Sequence, residues 1–193
     1  MNKWHIFFIS GVAGAGKWTV IKKLLEKNIE NFELALSCKT RDYRDWEKPG
    51  LDYHKLTVEE FKKSIEEGDF LEYNFIHNQN YYGTKYTDVI DNGINKGKII
   101  LKEMDILALP KLMYSRHDLK NDYTYIFLDL PIVKIKDRMQ ERGDCVEWKD
   151  FENRLSSAKK ETALKNLADF VINADQSPDK VFEDIFNIIS KKL

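Results

Sequence analysis

The chain has 193 residues, 42% of them hydrophobic and 12% aromatic, with a formal net charge of −1. That length and composition exclude a disordered chain and allow one substantial core with a small insertion. The near-zero charge removes any global drive toward nucleic acid or acidic membranes, so a phosphate site must rely on locally clustered Arg and Lys.

In chain order, residues 4–9 read as a buried strand and residues 17–26 as a helix with Val20, Ile21, Leu24 and Leu25 on one face. Residues 32–36 alternate as a short second strand. Residues 37–85 have an insertion's character. A polar, charged loop over 37–52 leads to a helix over 58–67, closed by Gly68, and then to extended stretches over 70–77 and 81–84 joined by a turn at 78–80. Helix is expected over 86–96, closed by Gly97. Strand follows over 98–104, helix over 107–114 with Pro110 limiting its start, strand over 123–128 and helix over 133–142. A long helix over 151–167, a short strand over 170–172 and a helix over 180–189 complete the chain. Strands alternating with helices predict an α/β fold with a parallel sheet covered on both faces.

No apolar run nears membrane-spanning length, and the first five residues show no cleavable leader pattern, so a cytoplasmic location is expected. Cys38 and Cys145 lie far apart, and neither they nor His5, His54, His77 and His117 have metal-ligand spacing.

The stretch that organises the chain is Gly11-Val12-Ala13-Gly14-Ala15-Gly16-Lys17. Strand, glycine-rich turn and helix in succession are the setting of a phosphate-binding loop. Its backbone N–H groups approach a polyphosphate, the helix N-terminus adds partial positive charge, and Lys17 reaches the β- and γ-phosphates. The motif wants a hydroxyl next, to ligate Mg²⁺; Trp18 stands there instead, and Thr19 comes one position late. Two outcomes are open for Trp18. It tilts away to pack on the core, leaving a weakened site, or it occupies and blocks the phosphate pocket.

Within the insertion stand Ser37-x-x-Thr40-Arg41-x-x-Arg44, Glu47-x-x-Gly50-x-x-Tyr53, Phe70-Leu71-Glu72-Tyr73 and Asn80-Tyr81-Tyr82-Gly83-Thr84. In this order after a P-loop, these segments resemble the guanylate kinase family over nearly the whole chain. The chemistry agrees. Guanine presents N1–H and an N2 amine side by side, and Glu72 could accept from both. Arg41 and Arg44 could converge on one phosphate through bidentate guanidinium geometry, with Tyr53 and Tyr82 adding phenol donors.

The resemblance implies further roles. Ser37 and Thr84 supply hydroxyls to the acceptor nucleotide. Asp105, just past a core strand, acts on Mg²⁺ through water or on the acceptor, the resemblance favouring the acceptor. Glu103 reads as a solvated strand-end carboxylate. Arg138 and Arg142 belong to a mobile lid over about 138–154, Arg154 is a further phosphate-directed arginine, and Asn173 lies near the donor adenine. The implied division is a P-loop core over 1–36 and 86–193 with a GMP-binding insertion over 37–85. Departures from the family pattern are Trp18, Tyr43 in place of a proline, and Trp46. Cys38 reads as a small side chain without thiol chemistry. The expected partners are ATP and GMP, with Mg²⁺ accompanying ATP, on a monomer or homodimer. The rival reading is a guanylate kinase-like binding module that Trp18 has disabled for turnover. A third keeps the kinase and changes the acceptor to dGMP or another purine nucleotide.

Overall fold

In the computed structural model, which describes residues 4–27, 31–43, 47–76, 80–141 and 148–193, the first apolar run forms β1 (His5–Gly11), buried at every position. The glycine-rich turn feeds α1 (Lys17–Glu26), which buries Val20, Ile21 and Leu24. β2 (Phe32–Leu34) is shorter than the alternation over 32–36 predicts.

The stretch expected as a loop over 37–52 instead opens with β3 (Ser37–Lys39), and β4 (Tyr53–Lys55) begins just past its end. Three residues are too few for a period-2 signal. What makes them strands is pairing with distant partners: Cys38 opposes Gly83 on an antiparallel neighbour, and Ser37 opposes Tyr53 on a parallel one. α2 (Val58–Glu66) starts at a capping box formed by Thr57 and Glu60 and buries Phe61. β5 (Phe70–Ile76) and β6 (Asn80–Lys85) pair antiparallel. Of the expected turn at 78–80, Asn80 already belongs to β6, and residues 78 and 79 lie outside the described residues.

Residues 86–96 do not form one helix. A π-helical turn (Thr87–Asp91) is followed by a 3-10 turn (Ile94–Lys96). Gly93 breaks them apart: a Cβ there would lie 2.3 Å from Ile100 Cδ1 and 2.4 Å from the Val89 carbonyl, so the backbone is pressed onto the strand that follows. Gly97 closes the segment in the left-handed region, as expected.

That strand is β7 (Ile99–Glu103). A 3-10 turn (Ile106–Ala108) then runs into α3 (Leu109–Ser115), with Pro110 in its first turn where no N–H is needed. β8 (Tyr123–Asp129) is followed by a 3-10 turn (Ile132–Lys134) and α4 (Ile135–Glu141). α5 (Trp148–Ala163) begins before the expected residue 151 and gives way to a 3-10 turn (Lys165–Leu167). β9 (Phe170–Asn173) and α6 (Pro178–Lys192), N-capped by Ser177, end the chain.

The strands form two sheets. One is parallel throughout, in the order β2-β7-β1-β8-β9; the other is mixed, in the order β4-β3-β6-β5. The main core lies on the parallel sheet, centred on Phe7, Ile9, Leu101 and Phe127. A smaller cluster of Cys38, Phe61 and Phe70 serves the second sheet. The carboxyl ends of β1, β7 and β8 share one edge, where open α/β sheets bind ligands.

Candidate functional site

The P-loop leaves β1 at that edge. Gly11 has φ +146°, and a Cβ on it would come 2.5 Å from the Leu128 carbonyl, so only glycine lets the loop pass over β8. Gly14 and Gly16 also have positive φ. Lys17 Nζ donates to the Gly11 carbonyl at 2.7 Å and the Val12 carbonyl at 3.3 Å, curling over the loop it serves. Glu103, expected to be solvated, instead lies 3.8 Å from Lys17 Nζ as its ion-pair partner.

Opposite the loop stands the second sheet. A single cleft of about 530 Å³ is walled by Gly11, Ala13, Gly14, Ala15, Gly16, Lys17, Trp18 and Thr19 on one side. Ser37, Arg41, Glu72, Tyr82 and Asp105 wall the other side, with Arg138 and Arg154 also facing in. Segments scattered over the chain thus meet at one place.

The residues at this second wall are held individually. Arg41 is clamped by Glu47, its Nη1 donating to Oε2 at 2.6 Å and its Nη2 to Oε1 at 2.5 Å. Tyr53 does not reach the cleft lining. It is buried, stacks on Tyr43 at 4.3 Å between ring centroids, and donates its hydroxyl to the Arg41 carbonyl at 3.2 Å. In this structure it contacts Arg41, whose Nη1 also lies 3.3 Å from the Tyr53 hydroxyl. Thr84 is likewise buried behind the wall, where its hydroxyl donates to Glu72 Oε1. Asp105 accepts from the Leu107 N–H at 2.9 Å and so caps the 3-10 turn before α3.

Charge at this wall is enclosed. Glu72 is buried, and burial pushes its carboxyl up while the Lys102 ammonium pulls it down. Lys102, 1% exposed, is itself pushed down to about 8 by burial, against the attraction of Glu72. Its Nζ donates to Ser37 Oγ at 2.6 Å. Burial raises Asp105 as well, and it raises Glu161 on α5, with help from the Asp105 charge, to about 7. Sequence reasoning missed Lys102 and Glu161. Lys102 follows an apolar run and reads as its polar end, and Glu161 sits in a charged helix where nothing local sets it apart. Burial pushes the Cys38 thiol up to about 11, keeping it protonated at neutral pH, in keeping with its reading as a small side chain.

Trp18 is partly buried against the main core, with Lys22 Nζ 5.4 Å from its ring centroid, and it forms part of the cleft wall. The cleft stays open beside it. Arg138 and Arg154 enter the cleft from α4 and α5. Arg44 and Arg142 lie outside the described residues. Asn173 does not line the cleft: its Oδ1 accepts from the Asp175 N–H at 2.9 Å and shapes the turn after β9. Among the described residues no group of three or more His, Cys, Asp or Glu could hold a metal. No helix among them is long and apolar enough to cross a membrane.

A parallel sheet with a glycine-rich phosphate loop at its carboxyl edge defines a P-loop kinase-like α/β protein. The family model described as guanylate kinase matches residues 3–192, and the chain belongs to the guanylate kinase family. It is 35% identical over 190 residues to the guanylate kinase of Clostridium tetani (strain Massachusetts / E88), covering 98% of this chain and 87% of that one. It is 32% identical to the guanylate kinase of Thermotoga maritima, covering 93% and 83%. The crystal structure of guanylate kinase from Anaplasma phagocytophilum has the same fold, with a TM-score of 0.76 at 24% identity, covering 100% of this chain and 87% of that one.

Proposed function

We propose that the protein transfers the γ-phosphoryl group of ATP to GMP, giving ADP and GDP. The observation that carries this reading is the single cleft with the P-loop on one wall and the buried Glu72 on the other. No protein nucleophile is needed. A phosphate oxygen of GMP attacks the γ-phosphorus, the bond to the β-bridging oxygen breaks, and that oxygen leaves on ADP with the electron pair. The enzyme aligns the two nucleotides, offsets their repulsion and excludes water.

In this reading the P-loop and Lys17 hold the donor phosphates, with Thr19 beside them and Asn173 shaping the adenine end. Arg41 and Arg44 hold the acceptor phosphate, with Tyr82 at the same wall and Tyr53 steadying Arg41. Glu72 reads the guanine edge, with Ser37 beside it and Thr84 behind it. Asp105 acts from the acceptor side. Arg138, Arg142 and Arg154 close on the transferred group. The chain divides into a core over 1–36 and 86–193, with a lid at about 138–154, and a GMP-binding insertion over 37–85.

Mg²⁺ accompanies ATP in this proposal and supplies neutralisation of the phosphate charge. The residues present suit an ion that the nucleotide would carry in with its own waters, because the Trp18 side chain offers no oxygen; Asp105 would act on it through water, if at all on the metal side. Trp18 therefore weakens the donor site without closing it. In this reading the reaction runs in the cytoplasm. Lys17, Arg138 and Arg154 in one cleft favour turnover over a binding module, since a binder of the acceptor alone has no use for donor-side cations.

The test is ADP release on mixing protein, ATP, Mg²⁺ and GMP, with AMP as the control acceptor. GMP-dependent release well above the AMP rate is expected. Its absence in folded protein overturns the proposal, and a preference for AMP overturns the guanine assignment.

A further inference from the structure

One buried charge behind the cleft wall has no role in phosphoryl transfer as described. Lys102 lies on β7, inside the parallel sheet, with its ammonium enclosed and donating to Ser37 Oγ. The charged or titratable groups acting on it are Glu72, Lys39, Glu103 and Cys38. Burying an ammonium costs on the order of several kcal/mol of hydration, and an apolar side chain of similar volume commonly serves stability as well or better. Stability alone does not account for a lysine here.

We propose that Lys102 is a positioning residue that sets the acceptor pocket to take 6-oxopurine monophosphates and to reject 6-aminopurine ones. The inference rests on the acceptor site proposed above and deepens it. A lysine ammonium only donates, whereas a serine hydroxyl has one proton and two lone pairs. Lys102 fills one lone pair of Ser37 Oγ. The hydroxyl proton then turns away from the cation and is free to be given to an acceptor in the cleft that Ser37 lines. The Lys102 charge also acts on Glu72, opposing the tendency of burial to protonate it. One cation thus sets a donor at Ser37 and an acceptor at Glu72, both of which line the cleft.

That pattern matches one purine edge. Guanine and hypoxanthine present a carbonyl acceptor at position 6 next to the N1–H donor, and guanine adds the N2 amine. Adenine reverses the order, with an amine donor at position 6 and an acceptor at N1. Against adenine, the Ser37 proton would face an N–H and the Glu72 carboxylate would face a lone pair. A mismatched buried polar edge of this kind is penalised far more than a missing methylene. Removing Lys102 frees Ser37 to accept and leaves burial less opposed at Glu72, and both changes favour the adenine edge.

The test is equilibrium binding of GMP, IMP and AMP by calorimetry to the wild type, Lys102→Met, Ser37→Ala and the double variant. Lys102→Met should weaken GMP and IMP by about tenfold or more while AMP is unchanged or tighter, since only the first two carry the 6-oxo group. Ser37→Ala should weaken GMP and IMP in the same pattern, and the Lys102→Met effect should shrink in that background because the two act through one hydroxyl. A fall by the same factor for all three nucleotides, as general damage to the pocket would produce, overturns the proposal, as does an unchanged GMP:AMP ratio. Should Lys102→Met not fold, Ser37→Ala decides: a wild-type GMP:AMP ratio there overturns the inference. Because the readout is binding, absence of turnover would sink the phosphotransfer reading alone and leave these ratios to judge Lys102.

Discussion

In the proposed reading, the donor wall of the cleft comes from one contiguous stretch, residues 11–19, while the acceptor wall gathers Ser37, Arg41 and Glu72 from the second sheet and the loop after β3, with Lys102 of the parallel sheet behind Ser37. The donor wall works through backbone: positive-φ glycines, a helix N-terminus and one lysine that lies over them. The acceptor wall works through buried side-chain charges that need partners, Arg41 on Glu47 and Glu72 between Thr84 and Lys102. Backbone sites tolerate changes in neighbouring side chains and depend on a few conformations. Side-chain sites discriminate between ligands, and each member depends on the charge state of the next.

The sharpest way to break this comparison is to remove the one side chain on which the donor wall depends. Lys17→Met should lower kcat on the order of 10³-fold, because charge stabilisation in the transition state is lost. Its melting temperature should stay close to the wild type, since among the described residues Nζ bonds loop carbonyls and a partly exposed Glu103. Steady-state ADP release with a melting curve checks both. A kcat within tenfold of wild type would mean that the lysine only packs the loop.

On the acceptor wall the loss should appear differently. Glu72→Gln keeps shape and removes charge, so kcat/KM for GMP should fall about 10²-fold, carried mainly by KM, while KM for ATP stays put. If kcat falls and KM does not, Glu72 acts on the transition state and the division between walls fails.

This division also explains what was legible in the sequence. The P-loop could be read from residues 6–26 alone, because strand, glycines and helix are neighbours in the chain. The segments around Ser37, Arg41, Glu72 and Tyr82 were recognisable by their order. The hydrogen bonds of Tyr53 to Arg41 and of Thr84 to Glu72 were not, since only the fold brings these distant residues together. β3 and β4 were invisible for a related reason: their partners are distant, and three residues carry no period. Gly93 reads as one more helical position until Ile100 is seen pressing on it. Lys102 was hidden by its place at the end of Ile99-Ile100-Leu101, where a lysine reads as the strand's solvated end.

Buried carboxyls give the acceptor side a pH signature that the backbone wall lacks. Burial, with Asp105, raises Glu161 from 4.5 to about 7, and Glu72 and Asp105 shift the same way. A carboxyl raised on folding binds its proton more tightly in the folded state. Its contribution to stability is therefore full below 4.5 and is lost as pH rises through about 7. Ligand-free protein should lose stability across that window. Glu161→Gln should remove about 1–2 kcal/mol of the loss, a figure already reduced for solvent in the cleft. Urea unfolding at several pH values measures the slope, and an unchanged slope in Glu161→Gln would place the titration elsewhere.

The smallest effect tests the donor wall at its one departure from the motif. If that wall depends on backbone, restoring the hydroxyl should help only modestly, because the loop geometry is already in place around Trp18. Trp18→Ser adds an oxygen where the motif ligates Mg²⁺ and removes an indole that packs on the core and holds Lys22 over its face. The added ligand replaces a water on an ion that retains several, so the Mg²⁺ concentration needed for half-maximal rate should fall by about three- to tenfold. The lost indole packing should cost about 1–2 kcal/mol of stability, less than full truncation of a core aromatic, because Trp18 is only partly buried. Rate titrations in Mg²⁺ and thermal melts of the same variant separate the two terms. A gain of several hundredfold would show that Trp18 obstructs the phosphate pocket, and the donor wall would then prove as dependent on its side chains as the acceptor wall is.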